Sequence, residues 1–281
     1  VMYCILNDQL LLENSLPAYH FQRGFAYGDG LFETCLFANG TVHLFDAHIT
    51  RLRTGCQILS LMPDEIAFDH LAQNIALLVK ENQLGNYARI KITLVRESGG
   101  LYAPTSDKAN ILITASPSNG IEQTFTNADI SRKVVLQSTA WSSLKTTNAL
   151  PYVLAGIEKR DRGLGEILLS NTNGKVIESG SANLIVFNEV DNIIGLVDPR
   201  PFGIKGVMFQ EISNWIMQAN LPYEVNPVYQ QSFQRLQRAT SILCCNSMRL
   251  TWINQLGDTP LDPAPLQKIL APFLAQIPLA K

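Results

Sequence analysis

The chain has 281 residues, of which 46% are hydrophobic and 16% charged, with a formal net charge of −2. That length buries one large core or two moderate ones. A charge so near zero gives no electrostatic case for nucleic acid or an anionic membrane as partner. No apolar run reaches the length that spans a bilayer, and the opening VMYCILND lacks the basic-then-apolar pattern of a secretory signal. Five cysteines, four of them inside apolar runs, form an odd set without CxxC spacing. Reduced core cysteines in a cytoplasmic protein is the expectation they support.

In chain order, residues 2–6 and 9–13 around Asn7-Asp8 read as a hairpin. LFETCLFANGTVHLF alternates about Asn39-Gly40, a strong two-residue turn signal, and reads as a second hairpin. DAHITRLRTGCQILSL carries helical periodicity with Asp46 as its expected N-cap. DEIAFDHLAQNIALLVKENQ reads as one amphipathic helix ending near Gly85, and YARIKITLVRE and ANILITAS as strands. Residues 1–115 are therefore expected to form a small α+β domain. Residues 116–130, SPSNGIEQTFTNADI, are rich in turn formers and read as a linker. From 131 to 281 short strands (KVVLQST, EILLSN, KVIES, ANLIVF, IIGLV, TSILCCNS) alternate with helices (ALPYVLAGIEKRDRG, GVMFQEISNWIMQAN, SFQRLQRA, PLQKILAPFLAQI).

Three features of this second part carry chemistry. Lys145 closes VVLQSTAWSSLK, read as extended, and opens TTNALPYVLAGIEK, read as a helix. An amine that must reach a fixed aldehyde needs such a rigid mounting, although a lone lysine in a loop is more often solvated. Glu178 precedes Ser179-Gly180-Ser181-Ala182-Asn183, a stretch too small and flexible for strand interior. It reads equally as a turn glutamate or as the acid facing a heterocyclic nitrogen. Gly203-Ile204-Lys205-Gly206-Val207-Met208 leads into a helix whose first N–H groups suit a phosphate. Lys205 is the rival amine, with neighbours that point to phosphate or surface. An amine, a ring-nitrogen acid and a phosphate cradle are the three grips of pyridoxal phosphate. Arg51, on the first helix, adds a guanidinium suited to a phosphate dianion. Gly24, Gly28 and Gly30 in RGFAYGDG lack the spacing of a dinucleotide fingerprint and read as a loop before a strand. His43 and His48 flank Asp46, but a spacing of five puts them on different faces, so no metal is expected.

RGFAYGDGLFET at 23–34, AHITRL at 47–52, LKTTN…VLA at 144–155, GEILLSNTNGKVIESGSANLIVF at 165–187, the GIKGVM loop and CNSMRLTWI at 245–253 follow one another in a specific order. Over nearly its whole length the chain resembles the class IV aminotransferases, the fold-type-IV pyridoxal phosphate enzymes. The resemblance implies a two-domain fold, with a small sheet-plus-helices domain and a larger β-rich, barrel-like domain. It implies that Lys145 bonds the cofactor, that Glu178 faces its pyridine nitrogen and that Arg51 holds its phosphate. Further cofactor contacts fall on Asn183, Gly206, Val207, Met208, Asn246 and Ser247, and substrate contacts on Phe32, Tyr102 and Arg249. It also implies a small-molecule amine substrate and a homodimer.

Within that family the residues divide the readings. The Arg-x-His pair of D-amino acid aminotransferases is replaced by Leu101 and Ala103. The GTAAEITPV-like segment of branched-chain enzymes reads CNSMRLTWI here. Cys245-Asn246-Ser247, LFDAHITRLRTGCQIL and Ser98-Gly99-Gly100 followed by Tyr102 resemble aminodeoxychorismate lyase, although Leu101 stands where an arginine is often found. The family's tyrosine after the Lys…Asn pair is Ala149. The expected activity is therefore a lyase making 4-aminobenzoate and pyruvate from 4-amino-4-deoxychorismate, for folate synthesis. The alternatives are an aminotransferase for branched-chain or related amino acids, and a cofactor-binding protein without catalysis.

Overall fold

The computed structural model describes residues 2–280, which form two compact units. The first comprises the described residues up to Gly120 together with Leu144–Ala149; the second comprises Ile121–Ser143 and Leu150–Ala280.

In the first unit, β1 (Tyr3–Leu6) and β2 (Gln9–Leu12) pair around Asn7 and Asp8, both at positive φ, the backbone a two-residue hairpin turn needs. α1 (Gln22–Tyr27) precedes β3 (Gly30–Ala38). Asn39 and Gly40 turn β3 back into β4, which is only Thr41–Val42. The expected long return strand is cut short because α2 (Phe45–Leu59) begins almost at once. Its N-cap is Leu44 in the left-handed region, and Asp46 falls in the first turn instead of capping. After β5 (Met62–Pro63), the single helix expected from 64 to 83 is two. They are α3 (Glu65–Asp69), whose N-cap Asp64 accepts from Ala67 N at 3.0 Å, and α4 (Leu71–Glu81). The chain leaves helical geometry at His70, so the periodicity carries across a kink it does not reveal. β6 (Tyr87–Arg96) and β7 (Lys108–Pro117) complete a seven-stranded sheet in the order β2-β1-β7-β6-β3-β4, with β5 beside β7. Leu52, Cys56, Phe68, Leu71, Ile75 and Leu78 from the helices pack on Leu31, Cys35, Ile90, Ile92, Ile111 and Ile113 of the sheet. Each such side chain contributes roughly 1.5–3 kcal/mol by leaving water.

Leu144 joins this core, and the residues after it extend along β3. Phe32 N donates to Lys145 O at 2.9 Å, Thr147 N donates to Gly30 O at 2.9 Å, and Leu31 and Thr146 form an isolated bridge.

The second unit opens with β8 (Glu122–Leu136), a 15-residue strand that occupies most of the expected linker. β7 ends at Pro117, so only 118–121 separate the two strands. The turn formers that suggested a linker stand among Thr124, Phe125 and Thr126, residues suited to a pleated surface. α5 (Leu150–Asp161), β9 (Glu166–Asn171), β10 (Val176–Ser179), β11 (Asn183–Asn188), β12 (Ile193–Leu196) and α6 (Val207–Gln218) follow. The chain ends through β13 (Glu224–Asn226), α7 (Phe233–Leu236), β14 (Ser241–Cys245), β15 (Arg249–Leu256), β16 (Thr259–Pro260) and α8 (Ala264–Leu274). The nine-stranded sheet runs β10-β9-β8-β15-β14-β11-β12-β13, with β16 beside β15.

α5 is pinned where β8 loses register with β9, between Ile130 and Val135. There buried Glu158 accepts from Ser131 Oγ at 2.7 Å, Arg132 N at 2.9 Å and Lys133 N at 3.2 Å, and pairs with Arg162 at 2.8 Å. The bulged backbone N–H groups find a carboxylate in place of a strand, as buried donors must.

Candidate active site

Lys145 is not at a strand end under a helix start. β8 stops at Leu136 and α5 starts at Leu150, so the lysine sits in irregular chain held against β3. Its mounting is rigid for another reason: Leu144 is buried in the core on one side and two backbone hydrogen bonds flank it on the other. The Lys145 Nζ lies 4.3 Å from the centroid of the Phe32 ring, and Lys91 Nζ lies 5.4 Å from the same centroid. The structure thus brings Lys145 and Phe32 together and adds Lys91. Two residues on, the Thr147 hydroxyl oxygen is buried without a hydrogen-bond partner.

Arg51, on α2, makes two bonds to one carboxylate: Nε to Glu33 Oε1 at 2.7 Å and Nη2 to Glu33 Oε2 at 2.5 Å. His48 Nδ1 lies 2.8 Å from Glu33 Oε2. Glu33 is 1% exposed. Burial raises the affinity of its carboxyl for a proton, but the bonds from His48 and Arg51 outweigh it and depress the carboxyl to about 2. Glu33, Cys35 and His48 have ligand atoms within 4.8 Å of one another. A guanidinium already binds both Glu33 oxygens, and burial pushes the Cys35 thiol far up, so this set serves Arg51 better than a metal. Tyr102 stands apart from this group, 89% exposed with its ring 5.5 Å from that of Tyr27.

In the second unit Glu178, at the end of β10, is 3% exposed. Its Oε1 accepts from the Tyr152 hydroxyl at 2.6 Å; its Oε2 accepts from Ile204 N at 3.1 Å and Asn183 Nδ2 at 3.5 Å. Asn183 is itself fixed, accepting from Gly206 N at 2.7 Å and donating to Ile204 O at 2.9 Å. The loop before α6 is thereby drawn onto the carboxylate. A Cβ on Gly203 would stand 2.5 Å from Glu178 Oε1, and one on Gly206 would stand 2.4 Å from Asn183 Oδ1, so a side chain at either position would displace that carboxylate or amide. Gly206 is the N-cap of α6, and Val207 and Met208 supply its first N–H groups. Asn246 Nδ2 donates to Ser181 O at 3.1 Å, and Arg249 N donates to Asn246 Oδ1 at 2.9 Å. Asn246, Ser247 and Arg249 thus lie in the turn beside Ser181, and the Arg249 side chain reaches Glu122 at 3.2 Å. Lys205, the rival amine, pairs with Asp198 at 3.6 Å.

Tyr152, Glu33, Lys91 and Thr147 escape sequence reasoning. Tyr152 carried the one available signal, a phenol early in a helix that follows the lysine.

The residues fit pyridoxal phosphate on the chemistry of their donors. A buried carboxylate held in place by hydrogen-bond donors suits a protonated ring nitrogen. A glycine-walled helix start suits a phosphate.

A seven-stranded and a nine-stranded sheet, each flanked by helices and carrying such groups, define a two-unit α/β enzyme of the pyridoxal phosphate type. The model of the family described as Amino-transferase class IV matches residues 30–253, and the chain belongs to that family. It is 25% identical over 190 residues to a putative branched-chain-amino-acid aminotransferase of Methanocaldococcus jannaschii, a match spanning 66% of this chain and 65% of that relative. It is similar in structure to a branched-chain aminotransferase from Thermoproteus uzoniensis, with TM-score 0.83, 19% identity and coverage of 98% and 94% of the two chains. It is similar also to 4-amino-4-deoxychorismate lyase from Pseudomonas aeruginosa, with TM-score 0.78, 25% identity and coverage of 97% and 98%. Among the described residues no helix is long and apolar enough to cross a membrane.

Proposed function

We propose that the chain is a pyridoxal-phosphate-dependent lyase that converts 4-amino-4-deoxychorismate into 4-aminobenzoate and pyruvate, a step of folate synthesis. The observation that carries this reading is the likeness to the Pseudomonas lyase, 25% identical over 97% of the chain, against 19% for the Thermoproteus aminotransferase. Ser98-Gly99-Gly100 followed by Tyr102 in the loop after β6, and Cys245-Asn246-Ser247 at the end of β14, support it, while Leu101 and Ala103 speak against a D-amino acid aminotransferase.

When bound, pyridoxal phosphate supplies a ring that withdraws electrons from the carbon undergoing deprotonation. Lys145 provides the amine that holds the cofactor's aldehyde carbon at rest. The same amine would be the base that takes the proton from the amine-bearing carbon of the substrate. Glu178 keeps the ring nitrogen protonated. Gly206, Val207 and Met208 through their backbone, with Arg51, Asn183, Asn246 and Ser247, hold the phosphate and its surroundings. Phe32, Tyr102 and Arg249 contact the substrate, and Lys91, an exposed cation near the Phe32 ring, suits a substrate carboxylate.

The second reading, an aminotransferase for branched-chain or related amino acids with 2-oxoglutarate, is favoured by the likeness to the Methanocaldococcus and Thermoproteus proteins. A coupled assay separates the two. Pyruvate released from aminodeoxychorismate supports the lyase; glutamate formed from L-leucine and 2-oxoglutarate, with no pyruvate, replaces it by the transaminase. We also infer a homodimer, supported by the exposed stripe Leu150, Val153, Leu154 and Ile157 along α5. A cytoplasmic location is supported by five cysteines that are all buried and free.

A further inference from the structure

We propose that Tyr152 is a positioning residue for the cofactor: its hydroxyl fixes the plane of the Glu178 carboxylate and favours the form in which the proton stays on the ring nitrogen. The proposal rests on Glu178 facing that nitrogen and goes beyond it by naming what makes Glu178 effective.

The argument begins with α5. Glu158 ties this helix to the bulge in β8 through three donors, so the start of α5 is not at liberty to slide. Tyr152 lies in the first turn of α5, and its ring packs on the cluster formed by Val134, Leu136, Ala155, Ile167, Leu169 and Ile177. A ring seated this way has few rotamers, and its hydroxyl ends 2.6 Å from Glu178 Oε1. Burial, followed by the neighbouring Glu178 charge, pushes the phenol far above its usual range, so the hydroxyl keeps its proton and donates.

The donors on the other oxygen come from a different direction. Ile204 N and Asn183 Nδ2 reach Oε2 from the glycine loop and from β11. A carboxylate gripped through one oxygen can swing; gripped through both, it has a defined plane. Donation to an anion is also stronger than donation to a neutral acid. The phenol therefore stabilises carboxylate paired with protonated ring over carboxylic acid paired with neutral ring. Removing the hydroxyl shifts that proton toward Glu178.

The test compares wild type, Tyr152→Phe and Glu178→Gln, each reconstituted with pyridoxal phosphate carrying an isotopically labelled ring nitrogen. In parallel, each is titrated with pyridoxal phosphate and with the analogue whose ring nitrogen is replaced by carbon. Phenylalanine retains the packed ring, so a purely structural role for Tyr152 leaves both readouts at wild-type values. The expected result for Tyr152→Phe is a nitrogen resonance moved toward neutral pyridine and a preference for the nitrogen-containing cofactor reduced about tenfold. An unchanged resonance together with an unchanged preference overturns the proposal. Glu178→Gln reports separately on the underlying reading: a wild-type resonance in that variant means another group protonates the ring. The affinity ratio remains measurable when occupancy is low, so weak binding by a variant does not hide the answer.

Discussion

Two of the buried glutamates, Glu33 in the first unit and Glu178 in the second, are held by opposite means. Glu33 is gripped by the Arg51 guanidinium through both oxygens, with a histidine ring nitrogen added. Glu178 accepts from a phenol, an amide and a backbone N–H. Charged partners lower the energy of a buried anion most, and so tie its presence to the stability of the unit around it. Neutral donors mainly aim an anion, which ties it to whatever it is aimed at. The same side chain is therefore a charge-paired anchor in the first unit and an aimed acceptor in the second.

The most direct way to break this contrast is Glu33→Ala. It leaves Arg51 and His48 facing a buried gap, and the expected loss is about 3–5 kcal/mol of unfolding free energy, measured by urea denaturation. A loss below about 1 kcal/mol would show that Glu33 is as dispensable to folding as a surface acid.

Acid sharpens the contrast next. The Glu33 carboxyl is depressed from 4.5 to about 2. Its contribution is thus fully present above about pH 4.5 and drains away as the pH falls toward 2. At about 1.4 kcal/mol for each pH unit, that is about 3 kcal/mol. Wild type should lose this stability across that window, while Glu33→Gln should show a shallower acid limb in the same pH-dependent denaturation series.

The smallest expected effect lies in the second unit. Gly203→Ala places a methyl 2.5 Å from Glu178 Oε1, inside van der Waals contact. Overpacking of this kind costs about 1–3 kcal/mol, here expected chiefly as about tenfold weaker cofactor binding by fluorescence titration. Unaltered binding would mean that the loop yields freely and that the carboxylate needs no glycine beside it.

Much of this was readable in the residues and some was not, for physical reasons. Both hairpins announced themselves through Asn7-Asp8 and Asn39-Gly40, because a two-residue turn imposes positive φ locally. The break at His70 was invisible because α3 and α4 share an apolar side, and burial periodicity does not record a change of axis. Residues 116–130 have the composition of a linker, but alternation and not composition decides there, and residues 122–136 make one strand. Glu178, Asn183 and the Gly203–Gly206 loop could be singled out as local groups of small residues and acids. Tyr152 and Glu33 could not, since each acquires its meaning from a partner 26 or 18 residues away that only folding supplies.

The placement of Leu144–Ala149 has one more consequence. These six residues belong to the first unit, although the chain has already laid down the long strand β8 of the second before reaching them. Their contact with β3 therefore closes only across that long excursion, at an entropic cost that grows slowly with the length of the loop. Nor can the protein be divided by a single cut. A fragment ending at residue 120 would keep β3 but forfeit the chain that lies along it, Lys145 included.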